Sequence, residues 1–148
     1  MVHAMNLDQM LELTVFIPIA FLWMWIVKRV FDLRDRSADV AIQEEGNIAL
    51  GLRRAGLYLG ITLGLIGAIR GPTAGFQADL IDLFLDGATL TVLILIATWV
   101  NDKLLLPRID NLGALRAGNL AVGFVELAMF VATGLIAMGA YTGVGGGT

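Results

Sequence analysis

The chain has 148 residues, of which 57% are hydrophobic and 16% charged, with a net charge of −3 and a mean hydropathy of +0.80. The length suits one domain, and the lack of any basic tract argues against a nucleic-acid partner. Because there is no cysteine, disulfides, thiol chemistry and thiolate metal sites are excluded.

A soluble four-helix bundle would need a polar face opposite each apolar stripe. Residues 13–27, 55–69, 87–101 and 127–148 contain no charge at all. Extended through its flanking charges, each run reaches about 20 residues, enough to cross a hydrocarbon core of roughly 30 Å. The expectation is a single all-α membrane domain, residues 1–148, whose four transmembrane helices have the lipid bilayer as their first partner.

Residues 1–10 hold Asp8 and the only histidine, His3, which reads as a solvated group near a terminus. No Lys or Arg precedes Lys28, so the first apolar segment is expected to remain as a span and not to be cleaved as a signal peptide. Span one covers 11–31 and contains Pro18, which a membrane helix tolerates. Trp23 and Trp25 stand just before Lys28 and Arg29, the order expected of interface anchors. The connection 32–45 carries Asp32, Arg34, Asp35, Arg36, Asp39, Glu44 and Glu45. Mixed charge at that density predicts a solvated loop or surface helix, with a docking site as the alternative.

Span two covers 47–69 and stops at Arg70-Gly71-Pro72. Asp79, Asp82 and Asp86 then fall at i, i+3 and i+7, on one face of the helix entering span three. They either complement that helix's dipole or form an acidic mouth that gathers cations. Span three covers 81–103 and ends with Trp99 ahead of Lys103 and Arg108. Residues 112–117 lead into span four, 118–141, and the glycine-rich tail 142–148 is expected to be disordered. Lys28, Arg29, Arg34, Arg36, Lys103, Arg108 and Arg116 lie at the two odd-to-even connections, against Arg70 alone on the other side. By the positive-inside rule, the basic connections are cytoplasmic and both termini lie outside.

Residues 46–71 recur at 118–143, an offset of 72 that matches Gly46/Gly118, Asn47/Asn119, Ala49/Ala121, Gly51/Gly123, Leu63/Leu135, Gly67/Gly139, Ala68/Ala140 and Gly71/Gly143. Repeat one is 10–71 and repeat two is 82–143. With two spans each, the halves are expected to be related by a pseudo-two-fold axis along the membrane normal. Gly46-Asn47 and Gly118-Asn119 mark the start of spans two and four. Asn47, Gly51, Arg54, Tyr58 and Thr62 form one stripe of span two, and Asn119, Gly123, Glu126, Phe130 and Thr133 form its counterpart on span four. Both stripes are expected to face protein. A second row holds Ala49, Arg53, Gly56, Gly60, Gly64 and Gly67, a glycine zipper suited to close helix packing.

Arg54 stands where the second copy has Glu126, about 10 Å past the repeated asparagine on a helix rising ~1.5 Å per residue. A lone Arg at a span's centre costs ~2.5–3.5 kcal/mol, so the matched opposite charges predict an Arg54–Glu126 pair. It serves either as a structural ion pair or as a titratable element of an ion path. Arg53 is matched by Val125, which offers no partner, and is expected to reach the headgroups.

The repeated G-N-x-A-x-G before a glycine-rich span, with the NDKLLLP run at 101–107, resembles the bacterial inner-membrane family called domain of unknown function 350. The resemblance implies a duplicated two-plus-two-span protein of the bacterial inner membrane and supplies no activity. HExxH, GxSxG, a phosphate loop and a second histidine are all missing, so no catalytic residue, metal ligand or cofactor is expected. The leading expectation is a non-catalytic membrane subunit that forms a homo-oligomer or joins a membrane protein partner. The first alternative is an oligomeric ion channel or transporter, entered at Asp79, Asp82 and Asp86 and using Arg54 with Glu126. The second is an intramembrane enzyme or redox subunit with a pigment or quinone pocket at Trp23, Trp25 and Tyr58.

Overall fold

A continuous apolar run of this length satisfies its own backbone in lipid by forming an α-helix, and helices are what form. The computed structural model describes residues 7–71 and 74–143, so His3, Pro72 and 144–148 of the tail lie outside the described residues. Its elements are α1 (Leu7–Arg34), α2 (Ala38–Gln43), α3 (Ile48–Ile69), α4 (Phe76–Val100), α5 (Asn111–Arg116) and α6 (Leu120–Gly143). A π-helical turn, Asn101–Leu105, continues α4. The segments Thr14–Leu33, Ile48–Ile69, Phe76–Leu105 and Leu120–Gly143 are long and apolar enough to cross a bilayer. The chain is an all-helical, multi-pass membrane protein in type, and the order long, short, long helix occurs twice.

The repeated Gly-Asn is a stop followed by a start. Gly46 and Gly118 take φ of +67° and +78°, left-handed values that favour glycine and end the short helices α2 and α5. Asn47 then accepts the Leu50 N–H at 3.0 Å, and Asn119 accepts the Ala121 N–H at 3.1 Å, each capping the next long helix. Span boundaries shift accordingly. α4 begins at Phe76 instead of 81, and α6 keeps Thr142 and Gly143 in the helix, with the Thr142 hydroxyl bonded to the Met138 carbonyl at 2.8 Å. Those two residues are therefore not part of a disordered tail.

α3 and α6 pack along their whole length, and glycine is the reason they can. A Cβ placed on Gly56 or Gly67 would lie 2.5 Å from the Cα of Leu127 or Met138, and one on Gly60 or Gly134 would strike the backbone of Phe130 or Gly60. Contacts advance together from Ala49 with Gly123 to Gly67 with Met138, so the helices run parallel. The faces that meet are not matched in the repeat. α3 contributes Ala49, Gly56, Gly60 and Gly67, whereas α6 contributes Gly123, Leu127, Phe130, Gly134 and Met138. Residue 123 is the mate of 51, and 51 lies about 200° around the helix from 49, at 3.6 residues per turn. A two-fold axis between α3 and α6 would join like faces. The expected pseudo-two-fold does not describe this seam.

α1 and α4 complete the bundle around Phe16, Val27, Phe31, Leu57, Ile61, Leu90, Ile94 and Phe130, all buried. Phe31 meets Phe130 edge-on with centroids 5.7 Å apart, and Trp23 lies over Gly87. A smaller core of Ala41, Ala49, Leu50, Leu115 and Val122 ties the short helices to the starts of α3 and α6.

Candidate functional site

Arg53 lies on the glycine row of α3, the row that faces α6, which decides its environment. Its side chain is 11% exposed, and its Nε donates to Glu126 Oε2 at 2.9 Å. Glu126, 2% exposed, comes from the α3-facing side of α6. Asn101 is fully buried where α4 widens into its π turn, and its Nδ2 stands 3.4 Å from the other Glu126 oxygen, a long hydrogen bond. The guanidinium of Arg53 also sits 5.6 Å from the centroid of Phe31, a cation–π approach. Three helices thus meet at one carboxylate, inside the membrane-spanning part of the bundle.

The arginine bonded to Glu126 is therefore Arg53, and the expected Arg54–Glu126 pair is corrected. Equal depth is not equal direction: consecutive residues point about 100° apart, and only the glycine row points at α6. Arg53 does not reach for the headgroups either, since its charge is answered inside the protein. The stripe proposed for span four does face protein at Gly123, Glu126 and Phe130, whereas its counterpart on span two is only half-buried at Gly51, Arg54 and Tyr58 and exposed at Thr62.

Arg54 turns instead to the end of α1 and to α2. Its Nη2 is 3.1 Å from Asp39 Oδ1 and its Nη1 2.9 Å from Asp32 Oδ1. The second contact is an ion pair by distance only, because neither atom has an aligned hydrogen bond. Lys28 binds the same two carboxylates, at 2.6 Å and 2.8 Å, so two cations and two anions form a closed square. The Lys28 ammonium bonded to Asp39 holds that carboxyl below the usual range, against a smaller opposing effect of burial.

Beside this square, Asp35 is 2% exposed and joins the repeats by accepting from Arg116 at 2.8 Å, with Ser37 as a second donor at 3.0 Å. Burial pushes the Asp35 carboxyl up, but the bonds from Arg116 and Ser37, with the positive charges of Arg116 and Arg53, outweigh it and leave the group below its ordinary value. Asn47 makes a second tie, since its Nδ2 donates to the carbonyls of Leu115 and Arg116, both at 3.0 Å. Asp102, next to Asn101, accepts from Asn111 at 2.8 Å.

The three aspartates of the possible acidic mouth are divided in role. Asp79 accepts the Ala74 N–H at 2.8 Å and so closes the start of α4. Asp86 is half-buried and its carbonyl accepts from Tyr141 at 3.0 Å, while Asp82 is exposed. Space near the buried pair is scarce. The cavity lined by Phe31, Asp35, Leu50, Arg53, Arg54 and Leu57 measures about 20 Å³, room for about one water. A larger cleft of about 160 Å³, between α1 and α4, is bordered by Phe31, Thr98, Trp99, Asp102 and Lys103.

Reading the sequence alone left Asn101, Asp32, Asp35 and Asp39 unassigned as partners of the arginines. A signal existed for Asn101, since an asparagine ending a long apolar run needs a buried partner in lipid. Asp35 with Arg116 had none, because the two are 81 residues apart in connections of mixed charge.

Comparison with curated proteins and with solved structures finds no match to either. A family model does match residues 5–141, almost the whole chain, and by it the protein belongs to the family described as Domain of Unknown Function (DUF350).

Proposed function

We propose that this protein is a non-catalytic, multi-pass membrane subunit that works by packing against other membrane helices. The observation that carries this reading is the self-sufficiency of its buried charges. Glu126 is answered by Arg53 and Asn101, Arg54 by Asp32 and Asp39, and the cavity beside them holds about one water. A substrate the size of a metabolite has no place there. The basic residues at both odd-to-even connections favour termini outside the cytoplasm, and the family resemblance favours the bacterial inner membrane.

Reconstitution into liposomes tests this. The expected result is potassium, sodium, chloride and proton flux equal to that of empty liposomes. A selective flux that a folded Glu126→Gln variant abolishes would replace this reading with the transport one. That second reading is favoured by one feature: a carboxylate within a span, beside an Asn101 oxygen that is buried without a hydrogen bond.

A further inference from the structure

Two of the glycine pairs matched by the repeat have unlike fates. Gly67 is pressed against Met138, but its mate Gly139 has nothing within 4 Å of a Cβ placed on it. Gly123 is pressed against Ala49, but its mate Gly51 is equally open. Each half therefore owns two faces for close packing, and only one from each half is used inside the chain.

The used pair is the front of α3 against the back of α6. Left free are the front of α6 and the back of α3. The front of α6 corresponds residue by residue to the α3 row that packs so closely. Ala49, Gly56, Gly60 and Gly67 are matched there by Ala121, Ala128, Ala132 and Gly139, all small and all exposed. The back of α3 holds Gly51, Ala55 and Tyr58, the mates of Gly123, Leu127 and Phe130. Open apolar grooves lie on both sides of it, one of about 320 Å³ reaching Gly51 and Ala55, and one of about 160 Å³ between Tyr58 and Phe21.

We infer that a second copy of this chain docks here, with the front of its α6 on the back of α3, so that the seam inside each chain is repeated between chains. The interface continues an existing one with the same helix pairing and the same parallel sense, at a wider spacing, because Ala128 and Ala132 carry the Cβ atoms that Gly56 and Gly60 lack. Among the described residues it carries no unpaired charge. Arg53 is replaced in the α6 front by Val125, and Arg54 on the receiving helix already has Asp32 and Asp39. α4 touches the front of α3 where Leu90 meets Gly64, and the mates of these residues, Pro18 and Ile136, are both exposed. The incoming chain's α6 thus finds α1 in the place where α3 finds α4. Such a contact is heterologous, so copies add in one direction and close into a ring or continue as a row. This rests on the reading of the chain as an assembling subunit and names its partner.

The cysteine-free chain allows a direct test in native-like vesicles. Because Gly56 meets Leu127 within the chain, Ala128 of one copy should meet Ala55 of the next. The Ala55→Cys/Ala128→Cys variant is expected to give a ladder of dimers, trimers and larger species on mild oxidation, and neither single variant should. In lipid nanodiscs, native mass should be a multiple of the chain mass and fall to one chain in Ala128→Leu/Ala132→Leu, whose altered residues are exposed in the monomer. Dimers from either single variant would overturn the proposal in favour of a two-fold contact. A wild-type mass of one chain would overturn it in favour of lipid or a different protein on these faces. Silent liposomes with monomeric protein would leave the subunit reading standing, and selective flux from cross-linked multimers would remove that reading and leave this one.

Discussion

Arg53 and Arg54 are neighbours in sequence, and the bundle treats them as unlike residues. Arg53 points along the glycine row into the α3–α6 seam and meets Glu126 at 2.9 Å, with side-chain exposures of 11% and 2%. Arg54, about 100° further round, meets Asp39, whose side chain is 47% exposed, and shares it with Lys28. In the first case both charges have left water, and each depends on the other. In the second, Arg54 is 14% exposed but Asp39 is open to solvent, and Asp32 still answers the cations if Asp39 is lost. The difference between the two is direction around a helix, and it should set very different energetic consequences for similar substitutions.

The largest effect is expected at Glu126. Glu126→Gln leaves Arg53 without its counter-charge, and breaking a buried pair from one side typically costs ~3–5 kcal/mol. Reversible unfolding in mixed detergent micelles measures this. Arg53→Glu combined with Glu126→Arg should recover part of the loss, whereas Arg54→Glu combined with Glu126→Arg should recover nothing beyond the sum of the singles. Equal recovery in the two cycles would erase the distinction between the arginines.

Next comes the seam that gives Arg53 its direction. Gly67→Val forces a side chain onto the backbone of Met138 and should cost ~1–3 kcal/mol, as overpacking generally does. Gly139→Val, at the matched position with open space, should stay within roughly 0.5 kcal/mol in detergent-isolated monomer. A similar loss at both positions would mean that α3 and α6 use equivalent faces after all.

The four spans could be read from apolar runs alone, because lipid permits the backbone so few solutions. The repeated Gly-Asn could be read too, and its structural role as stop and cap follows from residue chemistry. Pairing across the seam could not. The repeat suggested that matched positions face one another, which put Arg54 opposite Glu126, but the halves meet front to back and bring the neighbouring residue to that carboxylate. The connection 32–45 was legible as a surface helix, which α2 is, but its partners were not. Mixed charge there reads as a solvated loop or surface helix, and it does not tell that Asp32 and Asp39 receive arginine and lysine side chains from two spans, a fact that depends on where α2 folds back. Local pattern reports what a residue is, and three-dimensional direction decides whom it meets.

Smaller effects belong to the Arg54 side. Asp39→Asn should weaken the square by no more than about 1 kcal/mol, since its carboxylate is half-exposed and Asp32 remains to Lys28 and Arg54. A loss as large as that of Glu126→Gln would show that the square is as dry as the seam.

The smallest expected effect is of pH, and it separates the two regions once more. Asp35 and Asp39 both have carboxyls held below their ordinary value in the folded protein. Folding therefore favours their ionised forms, and the stability they contribute is fully present above the unfolded carboxyl pKa, near ~3.9. It is lost as pH falls through the lower, folded values. The Arg116 guanidinium is raised by its bond to Asp35, which adds no change below the arginine range. These two aspartates should thus contribute no change in thermal stability from pH 8 to pH 5 and a decline only below about pH 4. Asp35→Asn should flatten part of that decline, because the mutant has no proton to take up at that position. If instead the wild-type loses stability between pH 7 and pH 5, these two aspartates cannot be responsible, and the loss would have to come from a group whose charge is held less firmly than theirs.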